Sequence, residues 1–188
     1  MSERIRRRFT HLRLFAIALL FMLPVLARAD TDWVLKQSTL TYKVSHPLHE
    51  AEGVSHEARG KGECHSGQCD FLIAVPVKSF NSGDSNRDLH MLQATRGALY
   101  PMVVVRTSVP ESEPGTATIH ADLEIQFAGQ TVHYKDVSFQ IVTQGKEVHL
   151  TGTIPVTVSE FKIVPPTLLT IPIKNDIPVQ VDMTWVRN

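Results

Sequence analysis

Ala117-Thr118-Ile119-His120-Ala121-Asp122-Leu123-Glu124-Ile125-Gln126-Phe127 alternates from end to end. Ala117, Ile119, Ala121, Leu123, Ile125 and Phe127 are apolar, while His120, Asp122, Glu124 and Gln126 separate them. A period of two places the first set on one face of a strand and the second on the other, so the segment predicts a half-buried β-strand. Ala128-Gly129-Gln130 then turns the chain, which returns through Val132 and Tyr134 and, with changed parity, Val137, Phe139 and Ile141. That change predicts a bulge near Lys135-Asp136.

The same alternation extends in both directions. Downstream, Gln144-Gly145-Lys146 marks a turn, followed by Val148, Leu150, Gly152, Ile154, Val156 and Val158, and later by Ile177, Val179, Val181, Met183 and Trp185. Upstream lie Val103 to Val109, Phe71 to Val77, the set Val54, His56, Ala58, Gly60 and Gly62, and the set Leu40, Tyr42, Val44 and His46. This makes about eight strands in series. Two longer segments interrupt them, Ser79 to Tyr100 and Ser159 to Ile173. The first predicts a short helix or two around Leu89 to Leu99, capped by Ser85 or Asn86.

Sequential antiparallel strands with one apolar face invite closure into a barrel, which removes unpaired edges. A β-sandwich would bury the same residues, and alternation alone does not separate the two. The small inward residues Ala58, Gly60, Gly62, Ala117, Ala121 and Gly152 point to an internal cavity, although glycine also marks sharp barrel bends.

The chain has 188 residues, with 19 basic and 19 acidic side chains. That length fits one ordinary domain. The neutral total divides unevenly. Met1 to Ala29 reads as a secretory leader: Arg4, Arg6, Arg7 and Arg8, an apolar run from Leu12 to Leu23 broken by Arg13, then Ala27-Arg28-Ala29 as a small-x-small cleavage site. The run is too short to span a bilayer, which takes about 20 residues. Arg6-Arg7-Arg8-Phe9 partly resembles a twin-arginine signal, but an ordinary positive leader needs only charge. Six Arg and one Glu give the leader +5, so the remaining 13 basic and 18 acidic groups leave residues 30–188 at −5. An acidic domain lacks the basic footprint of a nucleic-acid binder.

Cys64 and Cys69 flank a glycine-containing turn. In an oxidising compartment such a pair is by default a disulfide across a hairpin end. A zinc site would ordinarily need a second ligand pair, and no further Cys exists.

Several stretches together resemble the YceI-like family. Trp33-x6-Leu40-x-Tyr42-x-Val44-x-His46 is similar to its opening strand, and Gly60 and Gly62 to its glycine-bearing second strand. The most diagnostic run is Ser79-Phe80-Asn81-Ser82-Gly83-Asp84-Ser85-Asn86-Arg87-Asp88-Leu89-His90-Met91, followed by Tyr100-Pro101. Phe161-Lys162-Ile163-Val164-Pro165 and the last strand also fit. The middle hairpin departs from the family pattern, and the cysteine pair is not part of it. The resemblance implies an all-β fold: an eight-stranded, lipocalin-like antiparallel barrel with a short helical insertion after the third strand. It also implies export to the periplasm and binding of a polyisoprenoid or similar amphipathic chain.

On this reading the lipid-lining candidates are Tyr42, Val44, Phe71, Ile73, Val75, Phe80, Ile119, Phe127, Phe139, Leu150 and Trp185, each of which also reads as plain core. His46 and His56 are inward by parity and are candidate polar contacts or satisfied core histidines. Arg87, Asp88 and His90 either position a head group at the barrel mouth or clamp the long loop. The strands show no inward cluster of Lys or Arg, so a neutral head such as a quinone, phenol or amide is expected. The expectation is a periplasmic carrier rather than an enzyme. Its partner is an amphipathic lipid or isoprenoid quinone-like molecule, with no cofactor or nucleic acid, and with transient membrane contact and a homodimer both left open. The alternative is a redox or metal accessory protein using His46, His90 and the cysteines.

Overall fold

In the computed structural model, residues 31–46, 49–111, 115–168 and 171–188 are described, and the expected leader lies outside them. The strands are β1 (Thr31–His46), β2 (His49–Ser55), β3 (Arg59–His65) and β4 (Gln68–Pro76); after helix α1 (Ser85–Ala94) come β5 (Met102–Pro110), β6 (Gly115–Phe127), β7 (Gln130–Gln144) and β8 (Glu147–Thr157). A two-stranded excursion, β9 (Thr167–Leu168) and β10 (Ile171–Pro172), precedes β11 (Asp176–Arg187).

The long strand β1 closes the sheet. Trp33 to Tyr42 pair with Arg187 to Val179 of β11, while the other edge of β1 pairs with β3 through Thr31–Val34 and with β2 through Leu40–His46. Thus β2 and β3 serve as one barrel strand broken at residues 56–58, and the circuit β1-β2/β3-β4-β5-β6-β7-β8-β11 has eight strands. This is the expected barrel with its helix after the third barrel strand. The direct β11–β1 pairing removes the sandwich alternative.

Two bulges bend the wall. Ala121 pairs with Val137 but Leu123 with Tyr134, so Lys135-Asp136 carries the extra residue where the parity changes. Asp136 adopts φ 57°, and its N–H donates to Asp122 Oδ1 at 2.9 Å. The β5–β6 ladder runs only from Val104↔Gln126 to Thr107↔Leu123, so the first half of β6 leaves β5 and Ala117, on the same face as Ile119 and Ala121, is exposed. A second bulge at Lys36 shifts β1 so that Trp33 and Leu40, of opposite parity, both face inward.

One barrel end is built by the β3–β4 hairpin. Ser66 and Gly67 have φ 55° and 84°, the paired positive values of a tight primed turn, which glycine adopts without steric cost. His65 pairs with Gln68 and Cys64 with Cys69, which form the disulfide.

The glycines have a different use from the one expected. A Cβ at Gly62 would sit 2.4 Å from Phe71, one at Gly152 2.4 Å from Phe139 and one at Gly60 2.4 Å from Trp185. Each glycine therefore receives an aromatic ring from another strand, and the cavity lies beyond those rings.

The other end carries α1, the 3₁₀ turns Val77–Ser79 and Val158–Phe161, and the β9–β10 excursion. Asp84, rather than Ser85 or Asn86, caps α1: its Oδ1 accepts the N–H groups of Asn86 at 2.9 Å and Arg87 at 3.2 Å. The extended backbone of Asp84 suits an N-cap, whereas Ser85 and Asn86 are already inside the helix.

Candidate functional site

Inward residues from all the barrel strands enclose a cavity of about 490 Å³. The volume falls within the roughly 300–1,000 Å³ common for small-molecule sites. Period-2 geometry brings the predicted residues to its wall: Tyr42 and Val44 from β1, Phe71, Ile73 and Val75 from β4, Ile119 and Phe127 from β6, Phe139 from β7, Leu150 from β8, and Trp185 from β11. Phe80 joins them from the loop, its ring centroid 5.5 Å from that of Tyr42.

Trp33, Leu123, Ile125, Ile154, Met183 and Phe161 belong to the same wall but were not singled out. Most share the parity of residues that were. Phe161 is fully buried against Phe127 and lies outside any alternating run, so periodicity gave no signal for it.

The run Ser79 to Met91 separates into a clamp and a face. Ser79 Oγ lies 2.6 Å from Ser55 Oγ and donates to the Pro76 carbonyl at 2.7 Å. The Asn81 backbone exchanges both of its hydrogen bonds with Val54, and the Asn81 side chain accepts the Gly83 N–H at 2.7 Å. Asp88 accepts the Ser82 N–H at 3.0 Å and does not line the cavity, so its expected ligand contact is replaced by a structural one. Arg87, His90, Met91 and Ala94 do line it. Their i, i+3, i+4, i+7 spacing is one helical face, the sequence signal that would have identified Met91 and Ala94.

Arg87 is partly exposed and lies 3.9 Å from Asp84, a loose pair that leaves its guanidinium at the cavity rim. Tyr42 faces this rim, where burial, with the Asp88 charge adding and Arg87 opposing, pushes its phenol above the ordinary value.

His56 corrects an inward expectation. It is exposed, with Nδ1 3.1 Å from Thr39 Oγ1 and 3.2 Å from the Ser38 carbonyl. The break at residues 56–58 changes parity, so Gly53 and Ser55 face inward in β2, and Gly60, Gly62 and Cys64 in β3. The inward Ser55 is tolerated because Ser79 satisfies its hydroxyl. The backbone of His46 pairs with His49, and its side chain is outside the described residues.

At the disulfide end, Phe71 meets Trp185 edge to face at 5.0 Å, and the Arg187 guanidinium lies 4.8 Å over the Trp33 ring. Arg187 also pairs with Glu111 at 2.9 Å. Among the described residues no group of three His, Cys, Asp or Glu side chains is placed to hold a metal. The cysteines and His90 sit at opposite ends of the barrel.

The chain is similar in fold to two solved structures. One is a polyisoprenoid binding domain from Saccharophagus degradans implicated in plant cell wall breakdown, with TM-score 0.63, 12% identity, and coverage of 83% of this chain and 98% of that one. The other is Burkholderia cenocepacia BcnA, with TM-score 0.65, 13% identity, and coverage of 78% and 95%. At these identities the likeness establishes the fold. No curated protein matches the chain in sequence. The family model described as "YceI-like domain" matches residues 33–185, nearly the whole described barrel, and the chain belongs to that family.

Proposed function

We propose that this protein is an exported carrier that holds one long isoprenoid or similar amphipathic chain inside its barrel. The observation that carries the reading is the cavity: about 490 Å³, walled almost wholly by aliphatic and aromatic side chains. Each buried methylene contributes about 0.8 kcal/mol. Association costs at least ~4 kcal/mol, and micromolar affinity requires a net ~8 kcal/mol, so roughly fifteen buried carbons are needed. A long chain meets that requirement and a small metabolite does not. The polyisoprenoid-binding description of the Saccharophagus degradans domain supports the same ligand class.

A neutral head group fits the wall. Arg87 is its one cationic Lys or Arg among the described residues, too few for a pyrophosphate. The helix end suits transient contact with the membrane from which the lipid comes. Leu89, Leu99, Tyr100, Met102, Val164 and Ile171 are exposed apolar residues of α1, the α1–β5 connection, the first position of β5 and the segment between β8 and β11, all at this end. A rim of that kind marks an interaction surface. The leader sequence and the disulfide support an oxidising, extracytoplasmic location.

Ala121 is buried in the cavity wall, so Ala121→Phe places a ring in the lipid volume. Delipidated wild-type protein is expected to take up a prenylated chain with a rise in Tm, and Ala121→Phe to lose that rise while remaining folded. Equal uptake by both would contradict the assigned volume.

A further inference from the structure

Buried polar atoms in native proteins nearly always have partners, so each exception calls for an explanation. Among the described residues three buried side-chain atoms have none: Trp33 Nε1, Ser38 Oγ and Thr143 Oγ1. Of the three residues, only Trp33 lines the cavity. It is 6% exposed, so bulk water does not readily serve its indole N–H. A buried donor left unpaired costs about 1–3 kcal/mol, and buried indoles ordinarily find an acceptor.

The position of Trp33 narrows what that acceptor can be. Trp33 pairs with Gly62 and Arg187 at the disulfide end of the cavity, opposite α1, where Glu111 also lines the wall. Glu111 is paired with Arg187, whose guanidinium covers the Trp33 ring, so the two charges neutralise each other. An anionic head would meet the Glu111 carboxylate, and a cationic head would compete with Arg187. Indole N–H donates only, so its partner must be an acceptor. The rim groups make a weaker demand, because Arg87 is partly exposed and His90 is exposed and both can be hydrated.

We infer that the disulfide end holds the ligand's oxygen-bearing end, with Trp33 Nε1–H donating to a neutral carbonyl or hydroxyl oxygen. The inference deepens the lipid-binding reading and rests on it. It makes binding head-first: the polar end passes the rim of α1 and reaches the far end, and the hydrocarbon fills the barrel behind it. A chain inserted tail-first would leave the indole unpaired.

The test uses two probes, a prenylated benzoquinone and squalene, an isoprenoid hydrocarbon without oxygen. Trp33→Phe keeps an aromatic ring and removes the donor. The ratio of quinone to squalene affinity is expected to fall about tenfold in Trp33→Phe, the size of one hydrogen bond. In wild-type protein labelled with ¹⁵N, the Trp33 indole proton is expected to move downfield with the quinone and not with squalene. The two indole signals, one from each Trp, are assigned through the variant. An unchanged affinity ratio in folded Trp33→Phe, or an indole signal that responds alike to both probes, would overturn the inference and leave the lipid-binding reading standing. If the variant fails to fold, the wild-type indole shift decides alone. Failure of wild-type protein to bind either probe would instead defeat the lipid-binding reading itself, and this inference with it.

Discussion

The two ends of the barrel are built from different materials. Among the described residues the disulfide end is mainly strands and tight turns: a turn at Ser66-Gly67, Cys64 bonded to Cys69, and Phe71 and Trp185 packed over Gly62 and Gly60. The helix end is made of connections. There α1 buries no residue fully, and its capping and clamping bonds are largely exposed. A dense, cross-linked end behaves as a base, and an end covered by a helix that buries no residue fully can open at that helix. On the proposed reading, the difference gives stability to the first and ligand exchange to the second. The disulfide adds modestly, since so short a loop lies at the low end of ~2–4 kcal/mol.

The sharpest way to break this contrast is to cut equally at both ends. Trp185 is 5% exposed and fills the space above Gly60, so Trp185→Ala is expected to cost about 3–5 kcal/mol, read from the denaturant midpoint. A cost under ~1 kcal/mol would show that the base is not the stabilising end. Met91 is only partly buried on the cavity face of α1. Met91→Ala is expected to cost under ~1 kcal/mol and to speed lipid release instead. The opposite ranking of the two variants would reverse the assignment.

Much of this architecture was legible because a half-buried strand writes its period directly into sequence. Ala117 to Phe127 predicted β6, and the parity change after Tyr134 located the Lys135-Asp136 bulge. The second barrel strand was misread for an equally physical reason. Val54, His56, Ala58, Gly60 and Gly62 share one parity in sequence, but the break at residues 56–58 changes the face, which brings Ser55 in and leaves His56 out. A buried serine satisfied by Ser79 is a non-local fact that no local pattern contains. The site divided in the same way. Wall residues on strands followed from alternation, whereas the separation of Asp88 from Arg87 and His90 depended on one bond to the Ser82 N–H.

A smaller effect sharpens the contrast through pH. The N–H groups of Arg87 and then Asn86 hold the Asp84 carboxyl below its ordinary value of 3.8. A depressed folded-state value means that the cap supports α1 fully above the ordinary value and loses that support as pH falls through the lowered one. Protection of the Asn86 and Arg87 amides, taken relative to the intrinsic exchange rate at each pH, is therefore expected to fall in acid before protection at Leu123 and Ile125 does. A simultaneous fall would mean that the two regions open as one unit.

The central claim is that the barrel interior is a lipid site, and its most direct test is organic extraction of the natively purified protein followed by mass spectrometry. The account predicts one neutral, long-chain isoprenoid-like molecule per barrel. Protein that yields no apolar guest, and that takes up no isoprenoid chain when one is offered, would contradict it.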